Sequence, residues 1–494
     1  MEEEAKDADL FPLGRNEWDV LLQKIKSPAT KDWLESQTGV IRLPKSLVSD
    51  VAPELPGYRA EAQSIMLLRL DTDAKPSEGS FLPQSKQWHP LANVRSEVAH
   101  RVQGIGETAG AVDSYLSSCY TVDRYKALKK TDTKPLLKLS FPNLPNETQA
   151  LMGAIYWTQD LISAPANDLT PGALQHAAQD WANSVPHVEV ETVVGDNLLT
   201  YNGTLSTDFG CGMIHAVGRG AQEPDREPRL IILRYRPPTS PAMTNTSSSS
   251  SPPSHIALVG KGVTFDTGGL NLKSGENMLN MKKDMGGAAL ALGLMRVLVE
   301  RNFPKPIDCW IPAVENVMDG NSYRPGDVLT SVNGTTTEIG NTDAEGRLIL
   351  ADALVLASAT KPDMILDFAT LTGAQRVALG LDIPAIFGND PKLIPEIMKA
   401  AEIERDPIWQ LPLWEGYRHR VKSNIADFRN VPSDGGMGGA ITAALYLSEF
   451  VDQGIPWLHV DFNGLDKNTG LGQAPTMRTL NRFIWNHYVI GKIS

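Results

Sequence analysis

The sequence predicts an α/β protein in two parts. A small N-terminal α/β domain precedes a larger C-terminal α/β domain whose central, largely parallel mixed sheet is flanked by helices. The first sign is alternation: short apolar runs such as Ile256-Ala257-Leu258-Val259-Gly260 are followed by longer stretches of helical spacing. Strands separated by helices pair in parallel, because each crossover lays its helix over the sheet. The second is size, since 494 residues with 41% hydrophobic and 21% charged side chains exceed one compact domain and supply ordinary cores. The third is a break at Pro142, Pro145 and Asn146, which reads as a linker.

Taken in order, residues 1–145 form the N-terminal domain, with a strand over Ser64–Leu70 and a helical stretch ending near Tyr125. Gly104, Gly106 and Gly110 have no strand-to-helix context, so they read as a turn rather than a phosphate loop. A connecting helix is expected over 146–165, with its body at 147–163, and the second domain takes 166–494. Within it, PPTSPAMTNTSSSSSPPS (237–254) cannot bury apolar surface and reads as an inserted solvated loop, mobile over 244–254. A helix over 286–302 would put Ala289, Leu292, Met295, Leu298 and Val299 on one side, the spacing of a core face. Buried strands are expected at 308–314 and 364–371, each feeding a loop, and a further helix at 348–359.

That last helix follows the segment Asn341-Thr342-Asp343-Ala344-Glu345-Gly346-Arg347-Leu348. Acids two residues apart cannot share a helix face, but in extended or turn backbone they point the same way. They can then converge ahead of a helix N-terminus, where anions are favoured. An isolated D-x-E is more often a plain helix start; a second charged cluster changes the reading. In IALVGKGVTFDTGGLNLKSGENMLNMKKDMGGAA (256–289), Lys261 follows a strand end and is succeeded by Asp266, Lys273 and Asp284. Ligands bind at the carboxyl ends of strands in open α/β sheets. Four gathered carboxylates would repel one another, and two divalent cations, about 3.5–4 Å apart in two-metal hydrolytic sites, would neutralise them.

The strings VGKGVTFDTGGLNLK, MKKDMGGAA and NTDAEGRLILADAL resemble the two signature regions of the leucine aminopeptidase family, the M17 metallopeptidases. DLISAPANDLTP, DFATLTGA, KSNIADFRN, GGAITAALYL and WLHVDFNG agree, so the likeness runs over roughly 150–494 and is weak or absent before it. The resemblance implies a catalytic second domain that removes N-terminal residues from peptides, Leu, Met and other apolar ones preferred, with a metal-bridged water as nucleophile. By the same resemblance, Lys261, Asp266, Asp284 and Glu345 would hold the tighter metal and Asp266, Asp343 and Glu345 the more exchangeable one. Lys273 and Arg347 would be the catalytic pair, and Met281, Thr370, Leu371 and Gly373 would line the substrate side. It further implies a bicarbonate on Arg347 that moves the proton, and a homohexamer with enclosed active sites.

Physical chemistry fits these roles. Lysine ligates only as the neutral amine, so the cation itself must displace a proton that ordinarily leaves near pKa ~10.4. Zinc or manganese suits such an oxygen-rich set, with cobalt or magnesium also possible. All four acids are committed to metal and no histidine stands near either cluster, so no side chain is left as general base; Arg347 offers a fork for a small oxyanion instead. Thr267 and Lys283 depart from the Ser and Ala that relatives often carry, and VPSDGGMGGA (431–440) adds glycines near the presumed substrate loop.

Other classes are disfavoured. The net charge of −12 makes nucleic acid an unlikely partner and gives no support to a second role in DNA binding. No apolar run reaches the ~18 residues of a membrane span. Three cysteines, Cys119, Cys211 and Cys309, suggest a reducing compartment, and the acidic start MEEEAKDADL is unlike a secretory or transit signal, so the cytoplasm is expected. H-E-x-x-H and G-x-S-x-G are absent. A two-metal phosphoesterase would usually bring histidine ligands, and a non-catalytic binding member would have lost some of the set. His459, in WLHVDF, reads as a core residue.

Overall fold

The structure is a computed structural model that describes residues 146–238 and 255–490, four strands of the N-terminal part, and Leu21. The helical stretch near Tyr125, the glycine turn at 104–110, Cys119 and nearly all of the Ser/Pro segment lie outside the described residues. Two compact units divide the chain, Met1–Met152 and Gly153–Ser494. In the first, strands β1 (Ala8–Gly14), β2 (Val40–Arg42), β3 (Ser64–Leu70) and β4 (His100–Val102) pair in the order β2-β3-β1-β4. β1 runs parallel to both β3 and β4, while β2 is antiparallel to β3. Helix α1 spans Asn146–Ser163.

The second unit is built on one large sheet. Its strands are β5 (Val188–Val194), β6 (Arg229–Tyr235), β7 (Ile256–Gly260), β8 (Gly262–Asp266) and β9 (Ile307–Asn316). After two short strands of a side sheet, β10 (Val328–Thr330) and β11 (Thr336–Glu338), come β12 (Met364–Ala369), β13 (Ala385–Gly388) and β14 (Trp409–Gln410). β15 (Phe428–Arg429) completes the side sheet and β16 (Trp457–Asp461) the main one. The order is β14-β13-β16-β12-β7-β9-β6-β5, with β8 on β9. β16, β12, β7 and β9 are mutually parallel, and antiparallel pairs flank them at β13–β16, β9–β6 and β6–β5. The sheet is therefore mixed with a parallel centre. Its central strands are buried along their whole length, as expected where helices cover both faces.

Helix α2 spans Gly212–Gly218, α3 spans Gly286–Glu300 and α4 spans Gly346–Ala359. α3 approaches β7 and β12 so closely that a Cβ on Gly287 would lie 2.0 Å from the Phe368 carbonyl oxygen. α4 is buried on nearly every side, as its apolar circumference requires. Asp352 interrupts that apolar surface, fully buried. One carboxylate oxygen accepts from the backbone of Met213 (2.9 Å) and Ile214 (3.0 Å) at the start of α2, and the other from Ser331 Oγ (2.8 Å) and Val332 N (2.9 Å).

Asp352 thus satisfies donors from two segments far away in sequence. Asp352→Ala would strand them in a dry interior, each at about 1–3 kcal/mol, so the expected loss of stability is about 3 kcal/mol or more. Urea denaturation measures it, and the amides of Met213, Ile214 and Val332 are expected to exchange faster in the variant.

Candidate metal centre

Two chain segments meet at the carboxyl ends of β7, β8 and β12. Lys261 follows β7 directly; its N–H donates to Phe368 O (3.0 Å) and its carbonyl accepts from Ala288 N (2.8 Å), which ties the residue to β12 and α3. Its Nζ lies 2.7 Å from Asp284 Oδ2 and 2.9 Å from Glu345 Oε1, and donates to Thr370 O at 3.2 Å. Asp266 closes β8, and Oδ2 is 2.9 Å from Lys273 Nζ, which also pairs with Asp343. Carboxylate oxygens of Asp266, Asp343 and Glu345 lie within 4.8 Å of one another, the spacing of a cation site. Asp284 stands outside that trio and joins it through Lys261.

Glycines make the approach possible. Gly268 (φ 87°) and Gly269 (φ 62°) turn the chain left-handed after Asp266, a conformation that side chains resist. Gly346, the first residue of α4, gives Lys261 its room: a Cβ there would meet Lys261 Cε at 2.4 Å and Nζ at 2.8 Å.

Asp266, Asp284 and Glu345 are almost wholly buried, and Asp343 is part-buried. Burial, then the neighbouring Glu345 and Asp284 charges, pushes Asp266 well above the usual carboxylate range. Asp284 is pushed up to about 6, chiefly by burial. For Glu345 burial acts the same way, but Lys261 and Lys273 outweigh it and leave the group below its ordinary value. Burial disfavours the Lys261 ammonium, yet Asp284, Glu345 and Asp266 together raise its pKa above the ordinary lysine value. The arrangement thus holds four acids against two lysines. Asp284 Oδ2 has no aligned hydrogen-bond donor although it is buried. Such an oxygen-rich, under-compensated donor set fits hard divalent cations.

Arg347 lies in the first turn of α4, buried; Nη1 donates to Asn430 O (2.7 Å), and Nε has no hydrogen-bond partner among the described residues. Met281 opens the turn Met281–Met285 that carries Asp284. Thr370 Oγ1 donates to Asp284 Oδ1 (2.9 Å), and Leu371 N donates to Asp461 Oδ1 (2.9 Å). Gly373 begins helix α5 (Gly373–Leu379), on the exposed side. Lys283 is buried beside Asp284 and donates to both Asn463 O and Oδ1 at 2.7 Å.

Several supporting residues escaped the sequence reading. Asn316, the last residue of β9, donates to Asp266 Oδ1 (2.8 Å) and to Thr342 O (3.0 Å), joining the two charged segments. Thr342 Oγ1 donates to Gly268 O (2.6 Å). Asn430 accepts from Gly340 N (2.8 Å) and donates to Asn341 O (2.7 Å), so it shapes the turn before Asp343. The sole hint in the sequence is an amide at the end of a buried apolar run, as in IDCWIPAVEN. His459 is a core residue whose Nδ1 meets Asp367 Oδ1 at 2.6 Å.

Comparison with known proteins places the chain among relatives. Residues 156–480 match the cytosol aminopeptidase family, catalytic domain. A probable cytosol aminopeptidase of Solibacter usitatus is 39% identical over 77% of this chain and 76% of its own. Another from Chlamydia abortus is 38% identical over 71% and 67%. The crystal structure of the cytosol aminopeptidase of Coxiella burnetii superposes with a TM-score of 0.76 at 31% identity, covering 98% of both chains. The bottromycin maturation enzyme BotP, solved in complex with Mn, gives 0.76 at 28% identity over 97% and 99%. The chain belongs to the cytosol aminopeptidase (M17) family of metal-dependent peptidases.

Gly346→Ala tests the close approach. The added methyl would displace Lys261 while leaving α4 intact, since alanine favours helix. Expected is a loss of metal affinity of about 10–100-fold, the scale of a disturbed supporting contact. Metal titration measures it, with circular dichroism showing the fold retained.

Proposed function

We propose that this aminopeptidase works with two divalent ions, zinc or manganese, and removes apolar N-terminal residues such as Leu and Met from peptides. Cobalt or magnesium could substitute. Lys261, Asp266, Asp284 and Glu345 would hold one ion and Asp266, Asp343 and Glu345 the other. The observation that carries the reading is the set of four carboxylates, three of them buried, ion-paired among the described residues to Lys261 and Lys273. The manganese complex of BotP supports the choice of manganese. When bound, the ions would neutralise the acids, acidify a water and polarise the scissile carbonyl.

The remaining roles fall to the chain's own groups. Lys273 holds Asp266 and Asp343; once those acids ligate, its ammonium is available to a developing oxyanion. Arg347, with its unpartnered buried Nε, offers a donor fork to bicarbonate, which would take and return the proton. Met281, Thr370, Leu371 and Gly373 would line the side-chain pocket. An apolar wall discriminates by only about 1–3 kcal/mol per methylene, so preference among apolar residues is broad. The catalytic domain would take 166–494, behind a connecting helix at 146–165 and an N-terminal domain at 1–145. A homohexamer in the cytoplasm is the assembly the family resemblance supports. Among the described residues no helix is long and apolar enough to cross a membrane.

Three variants separate these roles, each assayed with leucine p-nitroanilide after chelation and reconstitution. Asp343→Ala is expected to lose one metal equivalent. Lys273→Ala is expected to keep its metal while kcat falls about 100–1000-fold, the cost of one oxyanion donor. Equal activity in both variants and the parent would overthrow the assignment. Rigorous removal of bicarbonate should slow the parent and leave Arg347→Ala unaffected; a parent rate independent of bicarbonate removes that anion from the mechanism.

A further inference from the structure

We propose that the end of the sheet remote from the carboxylate cluster holds a second small-molecule site, one that takes a free α-amino acid as its zwitterion. A cavity of about 510 Å³ lies there, between the strands β5, β6 and β9 and the C-terminal end of α4. β7 and β9 start beside it, at Ile256 and Ile307, just after the cavity residues His255 and Pro306, and run away from it towards Lys261 and Asn316. α4 spans the same separation, with Glu345 and Arg347 at its start and the cavity residues Leu356 and Thr360 at its far end.

A buried donor without a partner and a buried ion pair line this space. Asp308 and Trp310 sit two apart on β9, hence on one face of the sheet, and both are buried to 2% exposure. Among the described residues Trp310 Nε1 has no acceptor, while Asp308 Oδ1 is held by the Arg236 guanidinium at 2.6 Å and Oδ2 lies 3.7 Å from His255 Nε2. Buried polar atoms are nearly always satisfied, and those that are not point to a missing partner.

The charges lining the cavity select what that partner is. Arg236 is half-exposed, while Arg234 lies 5.8 Å over the Trp310 ring and bonds Glu191 at 2.7 Å. A simple anion would face Asp308 and Glu191, and a simple cation would face two guanidinium groups. A ligand carrying both charges meets both. Because Arg236 and Asp308 touch, its charges must be close together, as in an α-amino acid rather than spread along a peptide. The ammonium would take the place of the Arg236 guanidinium at Asp308 Oδ1, the displaced Arg236 would meet the carboxylate, and the side chain would lie on Trp310 and Leu356. An amino acid is also what an aminopeptidase releases; the inference uses the family only for that point.

The test is binding without turnover. Full-length enzyme loaded with manganese, its catalytic site filled by saturating leucine hydroxamate, is dialysed to equilibrium against tritiated L-leucine. Expected is one leucine per chain, displaced by unlabelled leucine but not by leucinamide or 4-methylpentanoate, each of which lacks one charge. Asp308→Asn and Arg236→Gln should each weaken binding about tenfold or more, the loss of one charge-assisted contact. Arg236 is half-exposed, so its variant keeps the test valid should Asp308→Asn misfold. Absence of binding, binding that Arg236→Gln leaves unchanged, or equal displacement by 4-methylpentanoate overturns the proposal, whereas failure of the peptidase assays above would leave this measurement standing on its own.

Discussion

The centre of this protein is organised around buried negative charge. Asp266, Asp284 and Glu345 lie at 2–3% exposure beside the part-buried Asp343, and among the described residues Lys261 and Lys273 are their direct cationic partners. Isolated ions in a dry interior are costly, and like charges a few ångströms apart are worse. Nothing in packing alone would assemble such a cluster. The surrounding structure must over-determine each position, and close backbone packing is one means: α3 sits against β12 through Gly287, and α4 begins at a glycine that clears the lysine.

The two charged segments are more than 50 residues apart, and a second layer of uncharged polar groups locks them together. Asn316 bonds Asp266 and Thr342 at once, Thr342 bonds Gly268, and Asn430 holds the turn ahead of Asp343. Each is a neutral hydrogen bond worth about 1 kcal/mol net, but leaving one unmade in the interior costs more than making it gains. The layer therefore acts as a positional constraint. A shift of one segment would leave several donors unsatisfied together.

Sequence alone was a good guide to the parts whose cause is local. The apolar run 256–260, the glycine doublets and the D-x-E before an apolar helix each carry their meaning within a few residues. Helix α4 nevertheless begins at Gly346, two residues before the expected 348, because Glu345 already adopts helical angles at its cap. Strand β9 extends to Asn316, beyond the expected 314, because Glu315 and Asn316 find polar partners in Arg226 and Asp266. What could not be read was long-range: Asp352 serves donors from α2, 138 and 139 positions away, and nothing near it in sequence marks the partnership. Asn430 and Arg347 are likewise joined across 83 positions. Polar residues inside apolar stretches look alike until the fold supplies their neighbours.

Helix α4 leaves little freedom for inherited change. Its start is fitted to the lysine, its middle is pinned through Asp352, and its apolar surface is enclosed. Elsewhere the surface is less constrained: Leu279, Val377 and Met437 stand 77–89% bare to solvent. A change at such exposed positions disturbs no packing, whereas any substitution along α4 has to suit the lysine, the Asp352 contacts and the core together.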